Sequence, residues 1–273
     1  MNVRTDAYIL ILIKTFVTGV CMIKQRVLFP LVFLCVSVLV CLLAVGLFFL
    51  AGGELSGEAA PPESQESAPE QPQKPLRTVI LDAGHGGEDG GALGVTGLVE
   101  KELNLDLAKR LCALLEADGV RVIMTRTEDV LLYDRGVDFR GRKKVLDLAA
   151  RQAIGDQNPD ALFVSLHANT FSQSVYHGLQ VWYSPNHDQS AVLAECIRSE
   201  VVSALQPDNH RQSKVAGSNI FLLDRLQQPA VLVECGFLSN PTECRALEDD
   251  AYRQELAYAL YRGILAYYES DTP

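Results

Sequence analysis

The sequence is poor in basic residues: 24 Lys and Arg stand against 34 Asp and Glu in 273 residues, for a net charge of −10. A protein that grips phosphate backbones needs a basic face, so nucleic acid is excluded as a partner. Walker and zinc-ribbon spacings are absent, as is any internal repeat, so neither a P-loop nor a repeat array is present. Charge is missing altogether between Val27 and Gly53, a stretch dominated by Val, Leu and Phe. It exceeds the roughly 20 apolar residues that span a bilayer, and residues 27–53 are expected to form a transmembrane or signal-anchor segment.

Lys24 and Arg26 precede this segment, whereas Glu54, Glu58, Glu63, Glu66 and Glu70 follow it. The charge bias places residues 1–26 in the cytoplasm and the bulk of the chain outside, anchored in the cytoplasmic membrane by the N-terminal helix. A cleaved signal peptide is the alternative, with Ala51 and Gly53 as small residues for the cleaving enzyme, but the stretch is longer than a signal core of roughly 7–15 residues. No earlier cysteine has the small-residue setting of lipid attachment, and Met22 with Ile23 and Lys24 reads as an alternative start. Residues 54–76 hold five prolines and only Leu55 and Leu76 as large apolar residues. Such a composition cannot offset its own ordering entropy, which makes it a disordered linker. Residues 77–270 remain as one domain with its own core. Cys112, Cys196, Cys235 and Cys244 fall there, an even count that leaves disulfides and buried thiols both open.

In this domain β-rich runs (78–81, 120–125, 161–166, 179–183, 219–223 and 230–233) alternate with helical patterns. The alternation predicts a three-layer αβα domain with a mostly parallel or mixed sheet of about six strands. Leu103, Leu107, Leu111, Leu114 and Leu115 recur at helical spacing before Gly119, a left-handed cap. Further helices are expected at about 189–205 and 252–267, the latter preceded by Asn240, Pro241 and Glu243 as N-cap, first-turn proline and capping box.

Two of the apolar runs end in histidine. Asp82-Ala83-Gly84-His85-Gly86-Gly87 places His85 in a glycine-rich loop, and Ser165-Leu166 delivers His167. Ligands in open α/β sheets gather at the carboxyl ends of strands, which makes the pair a candidate site. Glu100 opens the first helix, where the dipole favours a carboxylate, and Val231-Leu232-Val233 delivers Glu234. A carboxylate leaving a buried strand needs a partner or a task. Two histidines with one carboxylate form a recurring catalytic zinc shell, and a second, unligated glutamate would be its base. The residues alone therefore read as a metal hydrolase.

Leu81-Asp82-Ala83-Gly84-His85-Gly86-Gly87, Glu100-Lys101 with Asn104-Leu105, Thr125-Arg126 with Asp129, Ser165-Leu166-His167-Ala168-Asn169 and Val233-Glu234-Cys235-Gly236-Phe237-Leu238-Ser239-Asn240 occur in this order. The set resembles the N-acetylmuramoyl-L-alanine amidases of the Amidase_3 family, from about 78 to 267. The resemblance implies one catalytic zinc on His85, Glu100 and His167, with Glu234 as the catalytic glutamate. It further implies peptidoglycan as substrate, cut between the muramic acid lactoyl group and the L-alanine of the stem peptide. Ala83 stands where the family usually has proline. An insert at about 131–146 carries Arg135, Arg140, Arg142, Lys143 and Lys144. With the anchor and the closing Phe237-Leu238-Ser239-Asn240-Pro241, it makes the chain most similar to sporulation and germination amidases.

The insert is expected to be a solvated loop, with a lid over acidic stem peptides as the alternative. His177, His187 and His210 read as surface residues, and Trp182 and Tyr183 as core aromatics or the lining of a sugar groove. A zinc peptidase cutting within the stem peptide and a wall-binding protein without catalysis are the competing readings. Thiol chemistry at Cys235 is disfavoured by its neighbour Glu234 and the lack of a basic partner. Nothing in the sequence identifies a protein activator.

Overall fold

The computed structural model describes residues 77–134, 136 and 140–270. The stretch 1–26 with Met22 expected in the cytoplasm, the expected membrane segment 27–53, the expected linker 54–76 and Arg135 of the insert lie outside the described residues. Among the described residues no helix is long and apolar enough to cross a membrane.

Six strands form one sheet: β1 (Thr78–Ala83), β2 (Arg121–Met124), β3 (Leu162–Asn169), β4 (Gln180–Tyr183), β5 (Lys214–Val215) and β6 (Ala230–Phe237), in the order β2-β1-β3-β6-β4-β5. Neighbours are parallel except β4, which runs antiparallel to β6. The central strands are buried on both faces, which is why they read as continuous apolar runs. Side chains alternate, so Val79, Leu81, Val164 and Val233 enter one core while Ile80, Phe163 and Ala230 enter another.

Helices cover both faces. α1 (Glu100–Ala117), α3 (Gln189–Leu205) and α6 (Asp250–Glu269) close the larger core, where α6 packs on both others. α2 (Lys143–Asp156) and α4 (Phe221–Arg225) close the smaller one. Leu103, Leu107, Leu111 and Leu115 of α1 are buried on one stripe, each contributing ~1.5–3 kcal/mol relative to exposure. Gly119 follows the helix with φ 77°, the left-handed conformation expected of it. The three-layer architecture with six strands in a mixed sheet thus stands.

Three elements differ from expectation. Residues 219–223 are not a strand: Ile220 N donates to Gly217 O, a turn that leads into α4, and Leu222 and Leu223 are buried side by side. A short apolar run does not distinguish strand from helix by periodicity. The edge position is taken by β5, two exposed residues that no apolar pattern marks. Asn240 caps not the last helix but α5 (Pro241–Glu248), accepting from the amides of Thr242 and Glu243. Asp249 caps α6 separately through Ala251 and Tyr252. Finally, Lys143 and Lys144, read as insert, begin α2.

Candidate metal centre

The chain leaves β1 at Ala83, and Gly84 N still donates to Leu166 O of β3 at 3.0 Å. His85 then takes φ 63°, a left-handed conformation that costs a non-glycine residue ~1–2 kcal/mol. The surroundings over-determine it. Arg151 donates to the carbonyls of Ala83 (2.8 Å) and His85 (2.7 Å), and Arg126 to those of Ala83 (2.8 Å), Gly84 (3.0 Å) and Lys101 (2.8 Å). Asp129 accepts from Gly87 N at 2.7 Å and from Lys101 Nζ at 2.6 Å. Asp82, beneath the loop, accepts from Thr125, Arg151 and Ser165. Burial pushes its carboxyl up, but Arg151 and the two hydroxyls reverse this and hold it below the usual range.

Glu100 is the first residue of α1 and is buried. Its Oε1 lies 3.2 Å from His85 Nε2 and 3.0 Å from His167 Nδ1, and accepts from Ala168 N at 3.2 Å. Oε2 accepts from Ala92 N at 2.8 Å. Burial raises the Glu100 pKa, yet the hydrogen bonds to His167 and His85 outweigh it and hold the group well below the carboxylate range. His85, which burial would depress, is raised by Glu100 and by Asp89, whose Oδ1 is 3.0 Å from Nδ1. Glycine makes the cluster possible. A Cβ on Gly84 would stand 2.3 Å from the His167 ring, and one on Gly91 2.5 Å from Glu100 Oε2.

The donor atoms of His85, Glu100 and His167 lie within 4.8 Å of one another. The 3.2 and 3.0 Å separations approach the ~3.3 Å edge of a tetrahedron with metal–ligand distances of ~2.0–2.1 Å. Two imidazoles and a carboxylate converging on one point, with Asp89 behind His85, fit a zinc ion with an open coordination position.

Glu234 stands on β6 opposite His167 of β3, and Gln180 of β4 stands opposite Glu234. It is not among the clustered donors. Its Oε2 is buried without a hydrogen-bond partner. Burial pushes its pKa up to about 7, with the Glu100 charge adding and His167 and His85 opposing. A proton acceptor poised near neutrality is suited to general base work.

All four expected residues thus meet at the carboxyl edge of β1, β3 and β6. Arg151 Nε also donates to Asp147 at 2.8 Å, which completes a clamp of Arg126, Arg151, Asp82 and Asp147 that the sequence does not signal, because Asp147 and Arg151 at i,i+4 resemble an ordinary surface pair. Lys143 and Lys144 of the basic insert pair with Glu88 and Asp89, next to His85. His177 and His210 are exposed, and His187 is half-buried, its Nδ1 accepting from Gln189 N. Cys112, Cys196, Cys235 and Cys244 are free thiols, and burial raises Cys235 far above the thiol range, which removes it as a nucleophile.

The N-acetylmuramoyl-L-alanine amidase profile (Amidase_3) matches residues 79–266. The chain is 33% identical over 199 residues to the germination-specific N-acetylmuramoyl-L-alanine amidase of Bacillus subtilis, covering 72% of this chain and 83% of that one. Among solved structures it is similar to the CwlD amidase of Clostridioides difficile in complex with the GerS lipoprotein, at 39% identity and a TM-score of 0.68 over 71% of this chain and 100% of that one. The amidase AmiC2 of Nostoc punctiforme is 31% identical with a TM-score of 0.60, over 71% and 98% of the respective chains.

Proposed function

We propose that this chain, which belongs to the N-acetylmuramoyl-L-alanine amidase family, depends on zinc and serves the remodelling of spore cortex peptidoglycan. That it is an N-acetylmuramoyl-L-alanine amidase acting on peptidoglycan follows from the family. Zinc rests on one observation above all: the three donor atoms that converge within 4.8 Å in a cradle two glycines keep open. His85, Glu100 and His167 would hold the ion, which supplies Lewis acidity to the scissile carbonyl and the attacking water. Glu234 accepts the proton of that water and returns it to the departing alanine nitrogen. No covalent enzyme intermediate is required.

The spore role is supported by the similarity to the germination-specific amidase. A protein partner for the domain is supported by the complex in which the solved relative was found. Attachment to the outer side of the membrane is supported by the uncharged stretch 27–53 and its flanking charges. The test is digestion of purified vegetative and cortex peptidoglycan by zinc-loaded and chelated protein. Free N-terminal alanine on intact glycan, released only with zinc and faster from cortex, is expected. Cuts within the stem peptide, or full activity after metal removal, would refute the reading.

A further inference from the structure

The sheet order gives the substrate a direction. The clustered donors sit just past the end of β1, on α1 and on β3, and the base sits on the next strand, β6. If the carbonyl faces the donors and the leaving nitrogen faces Glu234, the peptide side continues over β4 and β5. A cavity of about 270 Å³ lies in that direction. Its floor adjoins the site: Asn169 is two residues beyond His167, and Gln180 is paired with Glu234.

Two cations and several aromatic rings make its walls. The Arg211 guanidinium lies 5.6 Å from the Tyr176 ring centre and 4.8 Å from that of Phe237. Lys214 Nζ lies 5.7 Å from the ring centre of Trp182. Arg211 spends Nε on the carbonyl of His177. Among the described residues its two terminal nitrogens and Lys214 Nζ have no acceptor and neither side chain has a salt-bridge partner, the buried Glu243 carboxyl acting on Arg211 only through the field. Most other basic side chains near the active face are neutralised, as Lys101 is by Asp129 and Lys143 by Glu88. In a chain of net charge −10, two cations that face one cavity without a salt-bridge partner are a binding feature. Phe171 and Tyr176, edge to face at 4.9 Å, remain exposed at its rim.

We propose that this cavity holds the stem peptide on the leaving side of the scissile bond, with Arg211 and Lys214 binding a free carboxylate of that acidic peptide. The inference rests on the peptidoglycan amidase reading and adds to it the residues that select the peptide. Rings alone would suit a sugar; the cations decide for the peptide, because a glycan offers them no carboxylate once the lactoyl group is in amide linkage.

The test uses the full-length chain on purified peptidoglycan, native or with its peptide carboxylates converted to amides by carbodiimide and ammonia. Alanine N-termini are counted. Wild type is expected to slow about tenfold on amidated wall, the loss of a charge-assisted hydrogen bond. Arg211→Gln and Lys214→Gln should slow similarly on native wall and lose little more on amidated wall. Arg211→Lys should recover part of the rate, and zinc content and melting temperature should be unchanged in Lys214→Gln, whose side chain is exposed. Equal wild-type rates on both walls overturn the inference, as does an undiminished amidation effect in the Gln variants. A rate lost in Phe171→Ala and Tyr176→Ala but not in the Gln variants would assign the cavity to the glycan and overturn it too. Failure of wild type to release alanine from native wall would instead sink the amidase reading beneath it.

Discussion

Glu234→Gln separates the base from the ligands and tests the site on two independent scales. The amide keeps the size and shape of the carboxyl but cannot accept the proton of the attacking water. Hydrolysis should fall ~10²- to 10⁴-fold, or ~3–5 kcal/mol in barrier, with zinc still bound at one ion per chain. Stability should move the other way. Burial lifts Glu234 from an ordinary 4.5 to about 7, so between those values the folded chain holds a proton that the unfolded chain has released. Stability of the metal-free protein therefore falls as pH rises through that window, by an amount approaching ~3 kcal/mol. The protonated acid and the amide are both neutral and both leave a buried polar group unpartnered, so wild type and variant differ by a buried charge only where Glu234 is ionised. Metal-free Glu234→Gln should consequently melt higher than wild type at pH 8, with the gap closing towards pH 4. Alanine release from peptidoglycan, zinc content and thermal melts across pH measure the three quantities. Near-normal turnover would refute the assignment of the base; loss of zinc in this variant would make Glu234 a ligand.

Glu100→Gln should show the opposite pattern, losing zinc affinity as well as rate, because a neutral amide is a weaker ligand; metal titration checks it. His85→Ala or His167→Ala leaves two protein donors and should abolish zinc content and activity together, whereas full zinc occupancy in either would remove that residue from the shell. Asp82→Asn should destabilise the fold by ~3–5 kcal/mol, because Arg126 and Arg151 are then balanced only by Asp147 and one buried positive charge is left uncompensated, read from urea unfolding. Because the folded pKa of Asp82 lies below its ordinary 3.8, the wild-type advantage should be complete above that pH and fade as pH falls further. Residues 77–270 expressed alone should fold and digest peptidoglycan, since both cores are built from side chains of this domain; a failure to fold would move the boundary.

The ligand set could be read from the sequence because chemistry narrows the choice. Few residue types can end a buried apolar strand in a charge or an imidazole, so His85, His167 and Glu234 stood out against the runs that precede them. The helix from Glu100 was equally legible, since its leucine stripe repeats within one element. What stayed hidden depends on contacts distant in sequence. Residues 219–223 carry the composition of a strand, and only their place over the second core makes them a turn and a helix. Lys143 looks like the end of a basic loop until Asp147 and Arg151 are seen to turn inward from the same helix.

The hidden part explains why the legible part works. Four carbonyls, those of Ala83, Gly84, His85 and Lys101, converge beneath the loop that carries His85. Any donor would satisfy one of them, so no sequence rule requires arginine. Two guanidiniums satisfy all four at once because each presents several N–H groups in one plane. Their charges would be prohibitive in a core, but Asp82 and Asp147 are buried with them, so the group is neutral as a whole. Asp147 also accepts from Leu132 N at 2.7 Å, which ties the start of the basic insert to the same clamp. The strained turn at His85 is thus held from below by a neutral, fully bonded cluster, and its imidazole is left to face Glu100 and His167. A metal site built on a loop needs that fixation, since a ligand displaced by ~1 Å loses its geometry.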